Sequence, residues 1–279
     1  MKPGAVQFAN EDFVADAYFE RIGYLGSRAP TLATLRALHL AHVTTIPFEN
    51  LDIQLGLPIA LDLDSLQAKL VRARRGGYCF EQNHLFMAAL REMGFDVTPL
   101  AARVRMGSRE PTPRTHMLLR VELEGRPWIA DVGFGADALL EPIALRVGEP
   151  SVLFGWTYRL VREPDGAWVL QSLTGSASND LYAFVDEPTP FVDYLMGNHF
   201  TSTFPGSHFV RTLTAQLSGT EVRLALRNLE LTETTRDGAI VRTTVPDQDV
   251  LLEVLAERFG LNFPKGTRFR ALAEAADPA

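Results

Sequence analysis

At 279 residues with 46% hydrophobic content, the chain is long enough to bury one large core, or two to three cooperating domains, without disulfide or metal staples. Its 27 Lys and Arg against 34 Asp and Glu leave a formal charge of −7, which argues against nucleic acid and anionic membrane as main partners, since both demand a cationic surface. One cysteine forms no internal bridge, no run approaches the roughly 18 apolar residues of a membrane span, and the opening MKPGAVQFANEDF lacks the apolar stretch of a secretion signal, so the expected setting is soluble, reducing and cytoplasmic, with small molecules as partners.

The first third reads as helical, with segments over Asp12–Arg21, Thr31–Val43 and Ser65–Arg74. Leu32, Leu35, Leu38 and His39 line one side of the second, and Leu66, Leu70 and Ala73 keep register in the third. Asp64 is the candidate N-cap of that third helix, and Gly76 and Gly77 supply the left-handed conformations that commonly close one. From Cys79 to Met93 the spacing is helical again, with Phe86, Ala89, Leu90 and Met93 as the buried stripe and Gly94 as the stop. After Gly94 the pattern changes to alternation: strands are expected over 97–106, 116–123, 127–133, 156–162 and 167–173, the last two joined by the turn signal Pro164-Asp165-Gly166. The final third mixes strands over 209–217, 221–227 and 239–245 with a helix over Asp249–Phe259, stopped by Gly260. The class is α+β, with a barrel as one form for the middle third.

The single thiol, Cys79, lies in the first turn of the fourth helix. A helix N-terminus carries partial positive charge and unpaired N–H groups, which favour thiolate over thiol, and glycines just ahead let a substrate approach the backbone. The competing reading is a small buried hydrophobe. Arg74 and Arg75 either add to the positive field or act as ordinary helix-end charges.

A thiol nucleophile calls for an imidazole base and a group that orients it. Of the six histidines, His39 and His42 lie three apart on a helix, but no carboxylate or second cysteine completes a metal site, so they read as core or surface residues and no metal is expected. His84 is too far around the helix from Cys79, and His199 and His208 fall in or near a loop rich in Ser, Thr, Pro and Gly. His116 differs. The stretch THMLLRVELEGRPWIADVGFG reads as two strands around a two-residue turn at Glu124-Gly125. With that turn Leu123 faces Arg126 and His116 faces Gly133, so Asp131 becomes a same-face diagonal neighbour of His116, about 7–8 Å away at the backbone and bridgeable by side chains. An odd-length turn would separate them, and a purely decorative cross-strand pair is the alternative. GFGADA at 133–138 fits a loose dinucleotide pattern, but Pro142 follows too soon for the required helix.

These residues resemble the arylamine N-acetyltransferases through IPFENLDI at 46–53, RRGGYCFEQN at 74–83, THM at 115–117, DVGFG at 131–135 and SHF at 207–209. The resemblance implies an N-terminal helical bundle (1–94) carrying the nucleophile, a central β-barrel (95–205) carrying the His and Asp, and a C-terminal α/β lid (206–279). It implies a catalytic triad of Cys79, His116 and Asp131, an arylamine or hydrazine pocket lined by Phe48, Phe134 and Phe209, and contacts from Thr115 and Gly135 to coenzyme A. Acetyl-CoA is then the acyl-donor cosubstrate, with no metal or prosthetic group, and the resemblance leaves room for a homo-oligomer. Most of the 17 Phe must be core, and Glu49 and Asn50 read as loop-holding residues. Arg103, Arg105, Arg109 and Arg114 either meet the coenzyme phosphates or form a solvated face. The rival activities are a cysteine hydrolase with the same triad, an amide-forming acyltransferase of natural-product biosynthesis, and a binding module without turnover.

Overall fold

The computed structural model describes residues 13–108, 110–135 and 137–273. The chain begins with α1 (Ala15–Ile22), α2 (Leu32–Thr45), the short strand β1 (Phe48–Glu49), α3 (Leu51–Gln54), α4 (Leu63–Leu66) and α5 (Cys79–Glu92). Asp12, the expected start of the first helix, lies outside the described residues. Thr31 caps α2 by accepting from the Thr34 N–H. The α4 cap is Asp62, not Asp64: its carboxylate accepts from the Ser65 N–H, so the helix starts two residues earlier and widens into a π-helical stretch over Gln67–Arg72.

A second correction concerns the turn before Cys79. The left-handed residue there is Arg74, at φ 52°, whereas Gly76 and Gly77 have ordinary φ. Their smallness serves close approach instead: a Cβ on Gly76 would lie 2.1 Å from the Pro47 carbonyl oxygen, and one on Gly77 2.8 Å from the Glu81 carboxylate.

The middle of the chain forms β2 (Asp96–Val104), β3 (His116–Leu123), β4 (Arg126–Ala130), β5 (Ile143–Ala144), β6 (Ser151–Leu153), β7 (Trp156–Arg162), β8 (Trp168–Thr174) and β9 (Ala177–Phe184). These make an antiparallel, nearly closed, barrel-like sheet in the order β5-β4-β3-β2-β9-β8-β7-β6. Then come α6 (Phe191–Thr203), α7 (His208–Arg211), β10 (Thr214–Leu217), β11 (Val222–Arg227), β12 (Glu230–Thr235), β13 (Ile240–Thr244), α8 (Gln248–Phe259) and α9 (Arg270–Ala273). The expected strand over 209–217 is therefore a helical turn at 208–211 followed by a four-residue strand, and the loop expected around His199 is the helix α6.

The five-stranded second sheet runs β1-β10-β11-β12-β13, so its edge is borrowed from the N-terminal region. Its core gathers Leu51, Leu213, Leu226, Leu251, Leu255 and Phe259. The larger core joins helical residues such as Tyr18, Leu38 and Phe86 to barrel residues such as Leu118, Ile129 and Leu170. Helices and barrel thus share one apolar interior, and α5, packed on β2 and β3, is the element that joins them.

Candidate active site

The β3–β4 hairpin carries the two-residue turn its sequence requires. Glu124 and Gly125 both take positive φ, 53° and 74°, the combination whose twist matches antiparallel strands. Leu123 faces Arg126, and the ladder runs to Leu119 opposite Ala130. Asp131 leaves the ladder there, and its Oδ2 meets His116 Nε2 at 2.7 Å, with both side chains buried.

Cys79 is the first residue of α5, 4% exposed; its sulfur donates to the Thr115 carbonyl oxygen at 3.4 Å and lies close enough to His116 to favour the charged ring. One turn along the same face, Asn83 fastens the helix to the hairpin. Its Nδ2 donates to Asp131 Oδ1 at 2.9 Å and to the Met117 carbonyl at 2.7 Å, and its Oδ1 accepts from the Val132 N–H. Gly133 makes this approach sterically feasible, since a Cβ there would stand 2.7 Å from Asn83 Nδ2 and 2.8 Å from Cys79 Cα. Gly133 N–H also donates to Asp131 Oδ1 at 3.0 Å.

The electrostatics follow from these contacts. Burial alone would lower the His116 value, but the Asp131 charge and hydrogen bond, helped by the Cys79 sulfur, outweigh it and raise the imidazole to about 10. For Asp131, burial would favour the acid; the His116 cation and the donors from His116, Asn83 and Gly133 reverse this and hold the carboxyl below its usual range. His39 of α2 accepts the Asp131 peptide N–H through Nε2 at 3.1 Å, and burial drives that imidazole down to about 4, so it stays neutral as an acceptor must.

The structure brings Phe134, Thr115 and the Cys79–His116–Asp131 set together. Phe134 meets the His116 ring edge-on at 5.1 Å, and Tyr182 lies 4.8 Å from the same ring. Phe48 and Phe209 form a second aromatic contact at 5.8 Å, with Phe209 also 5.8 Å from Tyr78. Gly135, at φ 89°, links the two groups: a Cβ there would sit 1.9 Å from Gln216 Oε1 and 3.6 Å from Phe48. Thr115 also borders a cavity of about 360 Å³ walled by Arg114, Tyr194, Met196 and Phe200.

Glu49 and Asn50 hold loops. Glu49 pairs with Arg75 at 2.7 Å and accepts from Leu51 N–H, and Asn50 Nδ2 donates to the Phe209 and Thr212 carbonyls at 2.7 Å each. Of the arginines near the His116 strand, Arg105 is committed to Glu163 and Asp180, Arg103 donates to the Thr112 carbonyl, and Arg109 lies outside the described residues. His42 and His84 belong to the interior: His42 bonds Tyr18 and Gln82, and His84 packs on Phe191. Among the described residues no group of three or more His, Cys, Asp or Glu is placed to hold a metal, and no helix is long and apolar enough to cross a membrane.

Asn83 and His39 are the residues that sequence reasoning missed. Asn83 had a usable signal, its one-turn spacing from Cys79; His39, 92 residues from Asp131, had none.

This architecture recurs in known proteins. A family model described as N-acetyltransferase matches residues 31–268. The arylamine N-acetyltransferase of Escherichia coli (strain K12) is 43% identical over 251 residues, 89% of each chain. The crystal structure of Nocardia farcinica arylamine N-acetyltransferase is similar with a TM-score of 0.87 at 40% identity over 95% of both chains. That of Mycobacterium marinum arylamine N-acetyltransferase in complex with CoA gives 0.84 at 36% identity, covering 88% of this chain and 92% of that one. Similarity of this extent in both sequence and structure means that the chain belongs to the arylamine N-acetyltransferase family.

Proposed function

We propose that the protein transfers an acetyl group from acetyl-CoA to the nitrogen of arylamines or arylhydrazines, by a ping-pong route through an acetyl-cysteine at Cys79. The observation that carries this is the buried His116–Asp131 contact at 2.7 Å, with the Cys79 sulfur near enough to favour the imidazolium. His116 takes the thiol proton or already holds it, while Asp131 fixes the ring and balances its charge. The sulfur attacks the thioester carbonyl, the bond to the coenzyme sulfur breaks, and coenzyme A leaves with the proton from His116. Among the described residues the N–H groups of Cys79 and Phe80 meet no hydrogen-bond acceptor, which makes them the oxyanion donors of this reading. One thioester replaces another, so this half-reaction is nearly balanced.

In the second half the amine nitrogen attacks the acetyl-cysteine carbonyl, passes its proton to His116, and releases the Cys79 sulfur. Arylamines are largely unprotonated at neutral pH and arrive as nucleophiles. Phe48, Phe134 and Phe209 suit a flat neutral ring and exclude water, which limits hydrolysis. In this reading Thr115 and Gly135 border the pantetheine arm, and a lone reactive thiol suits the reducing cytoplasm. The test is intact-protein mass spectrometry after incubation with acetyl-CoA and no amine. An acetyl-sized gain on Cys79, discharged by an added arylamine and absent in Cys79→Ala, is the expected result; no adduct on the wild type would favour a hydrolase.

A further inference from the structure

The turn that delivers Cys79 rests on a buried cluster of charge. Lys69, from the π-helical stretch, donates to Glu81 at 2.7 Å and to Asp52 at 2.8 Å. Arg75 bridges Asp52 at 2.9 Å and Glu49 at 2.7 Å. Glu81, the third residue of α5 and 1% exposed, turns back under the helix start so that its Oε2 accepts the Tyr78 peptide N–H at 3.0 Å. The carbonyl of that same peptide unit, Gly77 O, accepts from Gln82 Nε2 at 2.8 Å and from Glu49 N–H at 3.0 Å. The Gly77–Tyr78 peptide plane, one residue ahead of the nucleophile, is therefore held at both ends, by two consecutive side chains of the nucleophile's own helix. Gly77 has no side chain because Glu81 occupies its space.

We propose that Glu81, braced by Lys69, is a positioning residue for Cys79: by engaging the Tyr78 N–H it fixes the Gly77–Tyr78 peptide that leads into the helix start, whose free N–H groups on Cys79 and Phe80 project toward the acyl oxygen. This rests on the acyl-transfer reading above. Both Glu81 oxygens face donors, so a proton on either one removes the charge that both hydrogen bonds draw on and sets an O–H against Lys69 or the Tyr78 N–H, which loosens the turn.

Burial pushes the Glu81 carboxyl up to about 7, with Glu49 adding to the rise and Lys69 opposing it. The groups that face it keep clear of that window: Lys69 is held well above its ordinary value despite burial, through Glu81, Glu49 and Asp52. Asp52 is held below its own by Lys69 and Arg75 against burial, and the Tyr78 phenol is raised by burial. His116 at about 10 and Asp131 below the carboxylate range also lie outside it.

The experiment is single-turnover acetylation of Cys79 by acetyl-CoA, followed by intact mass from about pH 5.5 to 8.5. The wild-type rate is expected to fall as pH drops through the neutral region. In Glu81→Gln that step disappears and the plateau drops by about tenfold, the worth of one charge-assisted hydrogen bond. In Lys69→Met the step moves to higher pH, because the opposing cation is gone, an effect that a merely structural role would not produce. A wild type with no step near neutrality, or a Glu81→Gln profile that overlays it, overturns the proposal. Glu81→Gln is isosteric and decides alone if Lys69→Met does not fold. A wild type that takes up no acetyl group at all sinks the acyl-transfer reading itself, and this proposal with it.

Discussion

Asp131→Asn keeps the size of the side chain and removes its charge, and the surrounding contacts dictate how the site responds. Asn83 Nδ2 and Gly133 N–H both point at Oδ1, so the new amide places its oxygen there and turns its NH2 toward His116. His116 Nε2 must then accept, which moves the ring proton to the nitrogen that faces Cys79 and deprives the thiol of a base. Without the carboxylate, burial acts on an imidazole now raised to about 10 with only the Cys79 sulfur left to oppose it, taking it down toward the ordinary 6.5. A fall to 6.5 is 10 − 6.5, or about 3.5 units, for which the population of the proton-transferred pair drops by roughly 10³. Loss of the correct tautomer in a comparable triad costs about 10⁴, which sets the upper end. Iodoacetamide alkylation of Cys79 against pH, together with single-turnover acetylation, measures this, and a melting curve checks the fold. Alkylation at pH 7 within threefold of the wild type would refute the orienting role of Asp131.

Gly133→Ala places a methyl 2.8 Å from Cys79 Cα, so overpacking of about 1–3 kcal/mol is expected in denaturant unfolding together with slower acetylation; an unchanged unfolding midpoint would show that the 131–135 loop moves aside freely. The raised His116 value makes a stability window: its contribution is fully present below about pH 6.5 and is lost as pH rises through about 10, on the order of several kcal/mol for this buried group. The denaturant midpoint of the wild type should therefore decline from pH 7 to 10 while that of Asp131→Asn stays flatter, and parallel curves would contradict the assignment.

The parts of the fold that were legible in the sequence are those fixed by neighbours. The Glu124-Gly125 turn dictates hairpin register through backbone twist alone, and register brings His116 to Asp131. The α5 helix is framed by its apolar stripe and by Gly94 at φ 82°. What stayed hidden depends on the far side of a contact. Helix α6 was unreadable because Val192, Met196 and Phe200 are exposed while Asn198 is buried, bonding Tyr78 and the Ile59 carbonyl, so its polarity pattern is inverted. Strand β12 lacked a turn signal as clear as the one before β8, whereas β9 carries one, the two-residue Gly175-Ser176 loop between Thr174 and Ala177. The close packing that Gly76 and Gly77 permit is invisible from the sequence, because crowding by Pro47 and Glu81 leaves no trace in local sequence.

The borrowed strand β1 has a consequence for the order of events during synthesis. Phe48 and Glu49 pair with Gln216 and Ala215, and Asn50 holds the Phe209 and Thr212 carbonyls, so one wall around the nucleophile is built from residues emerging long after Cys79. At ribosomal speeds of about 5–20 residues per second, the interval from residue 79 to residue 216 is roughly 7 to 27 s. During that time Cys79 is part of a nascent chain whose aromatic wall is unfinished. A chain that stops before α7 therefore carries its cysteine without Phe209, Ala215 and Gln216, the residues that complete this wall.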